Sequence, residues 1–90
     1  MAIYWHPIDA SDPYVQEIGK WAVAEHVRQT NDTIKFIKVV SGEKQERISL
    51  YFRLIIDASK NDGGDGTYEA VAHQMDLGEK LSLLSFKPAN

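Results

Sequence analysis

The clearest pattern in the chain is the alternation of apolar and polar residues between Arg47 and Asp57. A period of two is typical of a β-strand with one face on a hydrophobic core and the other in solvent. Ile55 interrupts the polar face. The apolar positions, which we expect to face the core, are Ile48, Leu50, Phe52, Leu54 and Ile56; the polar positions are Arg47, Ser49, Tyr51, Arg53 and Asp57.

The segment from Pro13 to about Gln29 has the pattern of an amphipathic helix. Asp12 can cap the first free N–H groups, and Pro13 at the first helical position loses no needed donor. Gly19 inside a helix costs about 1 kcal/mol relative to Ala, which we attribute to the close approach of a strand beneath it. Trp5 is expected in the same core or at its edge. The residues expected near the buried helix face are Val15, Ile18, Ala22 and His26, with Tyr14 and Trp21 along its margin.

Four further strands are predicted around these two elements. They are Ile3 to Ile8, ended by Pro7; Thr33 to Ser41; Thr67 to Met75; and Leu81 to Lys87. The residues that signal turns or loops are Ser41-Gly42, Asn61 to Gly66 and Asp76 to Glu79. A strand, a helix and then four strands in a meander predict an α+β fold with one helix packed on a four- to five-stranded antiparallel sheet. We expect one domain over residues 1–90.

Composition narrows the class of protein. A chain of 90 residues has one modest core, and 43% hydrophobic and 26% charged residues are ordinary for a globular fold. The net charge of −3 and the scattered Lys and Arg residues give no reason to expect nucleic acid. There is no cysteine, which excludes disulfides, thiolate nucleophiles and Cys-type zinc sites. No segment is long and apolar enough for a membrane span or resembles a signal peptide, so we expect a protein that is cytoplasmic, or secreted with the signal removed.

No residue pattern indicates catalysis or a bound metal. The histidines, which we expect to be solvated or partly packed, show no metal-ligand spacing; they are His6, His26 and His73. The acidic residues near the glycine-rich loop lack the spacing and the closing Glu of an EF-hand, so we prefer a solvated loop to a calcium site. These residues are Asp57, Asp62, Asp65 and Glu69. We predict no cofactor and no enzymatic activity.

Several segments of the sequence resemble the corresponding segments of plant cystatins. The segment Ile-Gly-Lys-Trp-Ala-Val-Ala-Glu-His, residues 18–26, is similar to the helix signature of that family, which has Phe or Tyr where Trp21 stands. The family pattern continues with Asn, whereas this chain has Val27. Residues 12–19, 36–43, 68–71 and 84–88 are also similar to plant cystatin sequences, so the resemblance covers nearly the whole chain. It implies a cystatin-like fold and inhibition of papain-like cysteine proteases.

The resemblance implies a protease-binding wedge built from three segments, and all three depart from the family pattern. The N-terminal trunk normally carries a Gly pair, which is absent here. The first loop normally reads Gln-x-Val-x-Gly, but only its Gln is kept, and Ser49 stands in place of the Gly. The second loop normally presents Pro-Trp. The matching residues are Ile3, Tyr4 and Trp5 in the trunk; Gln45, Glu46, Arg47, Ile48 and Ser49 in the first loop; and Asp76 and Leu77 in the second.

The segment Lys38-Val39-Val40-Ser41-Gly42 also has the form of the first-loop motif. It lies too few residues after the helix, and family members have the same stretch in their second strand. We interpret it as a strand, with a shifted register of the loop left open as the alternative.

Two hypotheses about function follow. The first is a weak or atypical inhibitor of papain-like proteases, because the charged pair Glu46-Arg47 would have to enter a dry cleft. The second is a cystatin scaffold that has diverged, or been engineered, to bind a different protein through the same three segments. Tyr51, Ile55 and Arg53 on the polar face of the strong strand are residue types that interfaces favour, and an ordinary solvated surface fits them equally well.

We also predict a slowly exchanging domain-swapped dimer at high concentration. Cystatin-like folds are known to swap by opening the first binding loop, so that two strands become one. From Gln45 through Ala58 the chain has no Gly, Pro or Asn, and the strand alternation continues through the loop. The Ser41-Gly42 turn is the main feature that favours the closed hairpin.

Overall fold

The computed structural model describes residues 4–46, 49–75 and 80–89. It has one helix, α1 (Pro13–Thr30), and five strands, namely β1 (His6–Ile8), β2 (Lys35–Glu46), β3 (Leu50–Ser59), β4 (Asp65–Gln74) and β5 (Leu81–Pro88). The strands form one antiparallel sheet in the order β1-β2-β3-β4-β5. The predicted α+β fold is therefore confirmed, with five strands. No helix in these three stretches is long and apolar enough to cross a bilayer.

Helix α1 begins where the sequence predicts. The Asp12 carboxylate accepts a hydrogen bond from the backbone N–H of Tyr14 at 2.9 Å, and Pro13 occupies the first helical position. The helix ends at Thr30, followed by Asn31 in the left-handed conformation with φ 61°. Asn tolerates this conformation better than most residues, and its backbone N–H bonds to the carbonyl of Val27.

The core lies between α1 and one face of the sheet. In β3, Phe52, Leu54 and Ile56 are buried, which confirms the predicted alternation for these three residues. Leu50 is half-buried, and Ile48 lies outside the described residues. The other buried hydrophobic residues are Val15, Ile18, Ala22, Val23, Ile34, Val39, Ala58, Tyr68, Ala70 and Ala72.

Gly19 lies where the helix and the sheet come closest. A Cβ atom at this position would overlap Cγ2 of Val39 and lie 3.2 Å from Cε1 of Phe36, and both of these residues belong to β2. The expectation of a strand directly beneath Gly19 is therefore confirmed. The low helix propensity of Gly is the cost of this close packing.

The predicted turn at Ser41-Gly42 is wrong. β2 continues through both residues to Glu46, and Gly42 pairs with Ile8 on one side and Leu54 on the other. A Cβ on Gly42 would lie 2.8 Å from Cδ2 of Leu54 and 3.3 Å from Ile8. Gly in a strand can mark close packing as well as a turn, and here the crowding on the core side of β2 requires it.

An irregularity in β2 is covered by a helix side chain. The pairing of β2 with β3 shifts between Val39 and Ser41. The Gln16 side chain accepts from the backbone N–H of Val39 at 3.0 Å and donates to its carbonyl at 3.1 Å. Because these groups lie in a part-buried region, an unpaired donor or acceptor would be costly there. Gln16 thus ties α1 to the bent region of β2.

Other predicted boundaries differ by a few residues. β2 starts at Lys35 rather than Thr33, and β3 and β4 are shifted from the predicted segments by about two residues at each end. Pro7 lies within β1 instead of ending it, which is possible because β1 is an edge strand and needs no N–H donor on its open side. The predicted turn at residues 76–79 lies outside the described residues.

We expect Gly19→Ala to destabilise the fold although Ala is the better helix former. Overpacking costs about 1–3 kcal/mol, which exceeds the gain in helix propensity of about 1 kcal/mol, because the new Cβ would overlap the buried side chain of Val39. The matched control is Gly64→Ala, where the nearest atom to a new Cβ is Asp62 Oδ1 at 3.4 Å. Thermal unfolding of both variants measures the difference. A melting temperature of Gly19→Ala above that of the unaltered protein would contradict the packing described here.

Candidate partner-binding edge

The strand registers bring three chain segments to one end of the sheet. β1 begins opposite the end of β2. In the next strands the same end is formed by one row of paired residues, Glu46, Leu50, Gln74 and Leu81. The described residues of three segments therefore lie side by side at this end: residues 4–5 of the trunk (residues 3–5), 45–46 and 49 of the first loop (residues 45–49), and 75 and 80 of the second loop (residues 75–80). We name these three segments together the binding edge.

In the trunk, Tyr4 and Trp5 have different environments. Tyr4 is 67% exposed, whereas Trp5 is half-buried. The ring of Trp5 lies against the guanidinium group of Arg53, with Cζ 4.5 Å from the ring centre. Arg53 lies on the face of β3 opposite the core, so Trp5 packs on the outer face of the sheet, which corrects the expectation that it lies in the core or at its edge. Ile3 lies outside the described residues.

The described part of the first loop is polar. Gln45 pairs with Tyr51 across β2 and β3 and is half-buried. Glu46 is exposed and forms an ion pair with Lys44, with Nζ 3.2 Å from Oε1. An ion pair this exposed contributes little to stability. The Glu46 carboxylate can therefore give up this contact when a partner binds at the end of β2. Ser49 is half-buried before β3. Arg47 and Ile48 lie outside the described residues.

The second loop is held at its base and flanked by an exposed apolar residue. The backbone N–H of Met75 donates to the carbonyl of Lys80 at 3.3 Å, and Met75 is 53% exposed. The hydroxyl of Tyr14 donates to Oε1 of Gln74 at 3.0 Å, which ties the start of α1 to the end of β4. Asp76 and Leu77, the predicted contact residues, lie outside the described residues.

Two features near the binding edge were missed by the sequence analysis. Tyr51 and His73 stack on the outer face of the sheet, with ring centres 4.5 Å apart and planes 17° apart. The sequence indicates Tyr51 as a residue type that interfaces favour, but its pairing with His73 depends on the register of β3 with β4. The sequence pattern places Met75 at the end of a strand, whereas β4 ends at Gln74. The available signal was an unpaired apolar residue directly before a turn.

The acidic residues near the glycine-rich loop make local contacts. Asp57 accepts a hydrogen bond from the Thr67 hydroxyl at 3.2 Å, and Asp62 accepts one from the backbone N–H of Gly64 at 3.0 Å. Glu69 pairs with Lys87 at 3.7 Å. Within residues 4–46, 49–75 and 80–89, no three His, Asp or Glu side chains are grouped so that they could hold a metal ion.

The opposite end of the molecule carries a different arrangement. Nε2 of His26 lies 3.0 Å from Oδ2 of Asp32, and the ring of His26 stacks on Phe86 with centres 4.1 Å apart. The hydrogen bond from His26, with that from the backbone N–H of Thr33, lowers the pKa of Asp32. An open cavity of about 360 Å³ lies beside Asp32 and Lys60. These contacts join the end of α1 to β5 and are remote from the binding edge.

Comparison with known proteins identifies the family. Residues 8–89 match the model of the SQAPI family, described as aspartic acid proteinase inhibitor. Over 86 residues the chain is 40% identical to Cysteine proteinase inhibitor 8 of Oryza sativa subsp. japonica, with 94% of this chain and 70% of that protein covered. Over 87 residues it is 38% identical to Cysteine proteinase inhibitor 5 of Arabidopsis thaliana, with 96% and 71% covered.

The fold agrees with that of a solved cystatin. The crystal structure of the salivary cystatin from the soft tick Ornithodoros moubata matches with a TM-score of 0.83 over 100% of both chains. At 14% identity this similarity concerns the fold alone. The chain belongs to the plant cystatin family, and the resemblance seen in its sequence is confirmed. As a member of a family of proteinase inhibitors, it is not an enzyme.

Proposed function

We propose that this protein inhibits papain-like cysteine proteases by inserting the binding edge into the active-site cleft. The observation that supports the proposal is that the strand registers bring the described ends of the trunk, the first loop and the second loop to one end of the sheet. Three segments held by one scaffold lose little conformational entropy on binding, because the wedge is formed in advance. Such a wedge blocks a cleft without offering a cleavable bond in register.

The relatives support the same target class. Cysteine proteinase inhibitors from rice and Arabidopsis match over almost the whole of this chain. We assign the contacts to Ile3, Tyr4 and Trp5 of the trunk, to Gln45, Glu46, Arg47, Ile48 and Ser49 of the first loop, and to Asp76 and Leu77 of the second.

We expect inhibition to be weak. The Glu46 carboxylate is exposed in the free protein, and binding in a dry cleft would remove its water. A nearby ion pair with Lys44 offsets only part of that cost, because an exposed pair of this kind is worth less than about 1 kcal/mol. Arg47 adds a second charge at the same tip.

A titration of papain with this protein, with active-site-labelled papain as the inactive control, tests the proposal. With a fluorogenic peptide as substrate, we expect competitive inhibition that can be overcome by more substrate. An aspartic protease of the pepsin type is titrated in parallel at the pH where it is active. Papain activity that stays unchanged at a large excess of this protein would contradict the proposal.

The second candidate is the binding of a different protein through the same edge. Two observations favour it, namely the departures of all three segments from the cystatin pattern and the matched family description, which names aspartic acid proteinase inhibitors. Inhibition of the pepsin-type enzyme with no effect on papain would select this candidate over the first.

Restoring the family motif in the first loop should strengthen papain inhibition. The variant carries Glu46→Val, Arg47→Val, Ile48→Ala and Ser49→Gly. It removes two charges from the tip and returns a Gly whose backbone can approach the protease closely. We expect the inhibition constant for papain to fall by at least about tenfold, which corresponds to about 1.4 kcal/mol.

The matched control removes two opposite charges at the other end of the sheet. Lys35 and Asp65 are both exposed. In the sheet register both lie opposite Ser59, at the end of the sheet far from the binding edge. The double variant Lys35→Val and Asp65→Val should leave the inhibition constant unchanged. If the loop variant inhibits papain no better than this control, the first loop is not the segment that limits binding.

The domain-swapped dimer remains a prediction. Since β2 runs through Ser41-Gly42, the connection of β2 to β3 depends on residues 47–49 alone. The turn that was expected to favour the closed hairpin is thus absent from β2. In a swapped dimer each β3 would make the same contacts with the β2 of the other copy. The free energies of the swapped dimer and of two closed monomers therefore differ little. Light scattering coupled to size exclusion, after warm incubation at high concentration, should show a dimer peak. A single species of 10.2 kDa at every concentration would rule it out.

A further inference from the structure

The trunk is held to the sheet by a side-chain contact rather than by a long strand. β1 has only three residues, so it can form few backbone hydrogen bonds with β2. Directly before β1, Trp5 lies against Arg53 with the guanidinium carbon 4.5 Å from the ring centre. This distance is well within the roughly 6 Å at which a cation attracts an aromatic face. Trp5 therefore has an anchor that backbone pairing alone would not provide.

Arg53 is itself fixed by a second contact. Its Nε donates to Oε1 of Glu43 at 2.9 Å, and Nη2 donates to the same oxygen. Glu43 is paired with Pro7 on one side and with Arg53 on the other, so the contacts lie in one row across β1, β2 and β3. A planar guanidinium group can hold the carboxylate along one edge and still present its face to the indole ring. We refer to Trp5, Arg53 and Glu43 as the trunk clamp.

We propose that Arg53 is a positioning residue for inhibition, which acts through Trp5. By holding the indole ring, Arg53 sets the direction in which Tyr4 leaves the sheet at the binding edge. It does so from the outer face of β3, without contact to the protease. The effect on inhibition depends on the proposed function, whereas the clamp itself exists in the free protein and is testable without a protease.

The first arm of the test uses the fluorescence of Trp5 in the free protein. The chain has two tryptophans, so Trp21→Phe isolates the signal of Trp5, and plant cystatins carry Phe or Tyr at this position. In this background we compare Arg53→Met with Arg28→Met, which removes an exposed cation from the helix. With Arg53→Met, acrylamide should quench Trp5 more strongly and its emission should shift to the red. Arg28→Met should change neither. Unchanged quenching with Arg53→Met would overturn the clamp whatever the protease data show.

The second arm is a double-mutant cycle measured as papain inhibition. Arg53→Met should weaken inhibition by about fivefold, the range expected when one partly exposed cation–π contact is lost. Trp5→Ala should weaken it by at least as much, because it also removes a proposed contact with the protease. If Arg53 acts through Trp5, then Arg53→Met should have almost no further effect in the Trp5→Ala background. Arg53→Lys should recover part of the inhibition, because it keeps the cation but not the planar edge that holds Glu43.

The two arms distinguish a failure of the trunk clamp from a failure of the proposed function. Fully additive effects in the cycle would overturn the positioning role, since direct contact with the protease or a general loss of stability would act equally in both backgrounds. If the unaltered protein does not inhibit papain, the proposed function fails, and the fluorescence arm still decides whether the clamp holds Trp5.

Discussion

The fold depends on close packing on the core side of β2 at two glycines, where a side chain would not fit. Gly19 lets α1 approach Val39, and Gly42 lets Leu54 and Ile8 approach each other across β2. The second contact sets the place of β1 at the edge of the sheet. Because the trunk leads directly into β1, the packing at Gly42 determines where the N-terminal part of the binding edge lies.

The binding edge combines a fixed base with polar tips. The registers of β1 to β5 align the three segments, and side-chain contacts support their bases, with Trp5 on Arg53 at the trunk and Tyr14 on Gln74 at the second loop. The tip of the first loop carries the exposed Glu46. A rigid base favours binding because little order must be gained, whereas a charged tip opposes entry into a dry cleft. In the proposed function, the scaffold therefore determines the class of target, and a few residues at the binding edge determine the affinity.

Local patterns in the sequence predicted the parts of the fold that local physics determines. Asp12 and Pro13 marked the helix start because capping involves neighbouring residues, and the alternation in β3 identified the buried positions Phe52, Leu54 and Ile56. The prediction failed at Ser41-Gly42, where a dipeptide typical of turns is a crowded strand position instead. The contacts of Trp5 with Arg53 and of Tyr51 with His73 could not be predicted, because they join residues distant in sequence and depend on strand register. The three segments that we propose as the binding edge were predicted through the family resemblance, and the registers of the sheet bring their described ends together.

The most direct test of the account is a hydrogen-exchange footprint of the complex with papain blocked at its catalytic cysteine. The exchange of backbone amides is compared between the free and the bound protein by mass spectrometry. The account predicts slower exchange on binding in residues 4–8, 44–50 and 74–81, which form the binding edge and its base, and no change in residues 30–34 and 60–65 at the opposite end. Protection of the opposite end, or of only one of the three segments, would contradict the claim that the binding edge enters the cleft as one wedge.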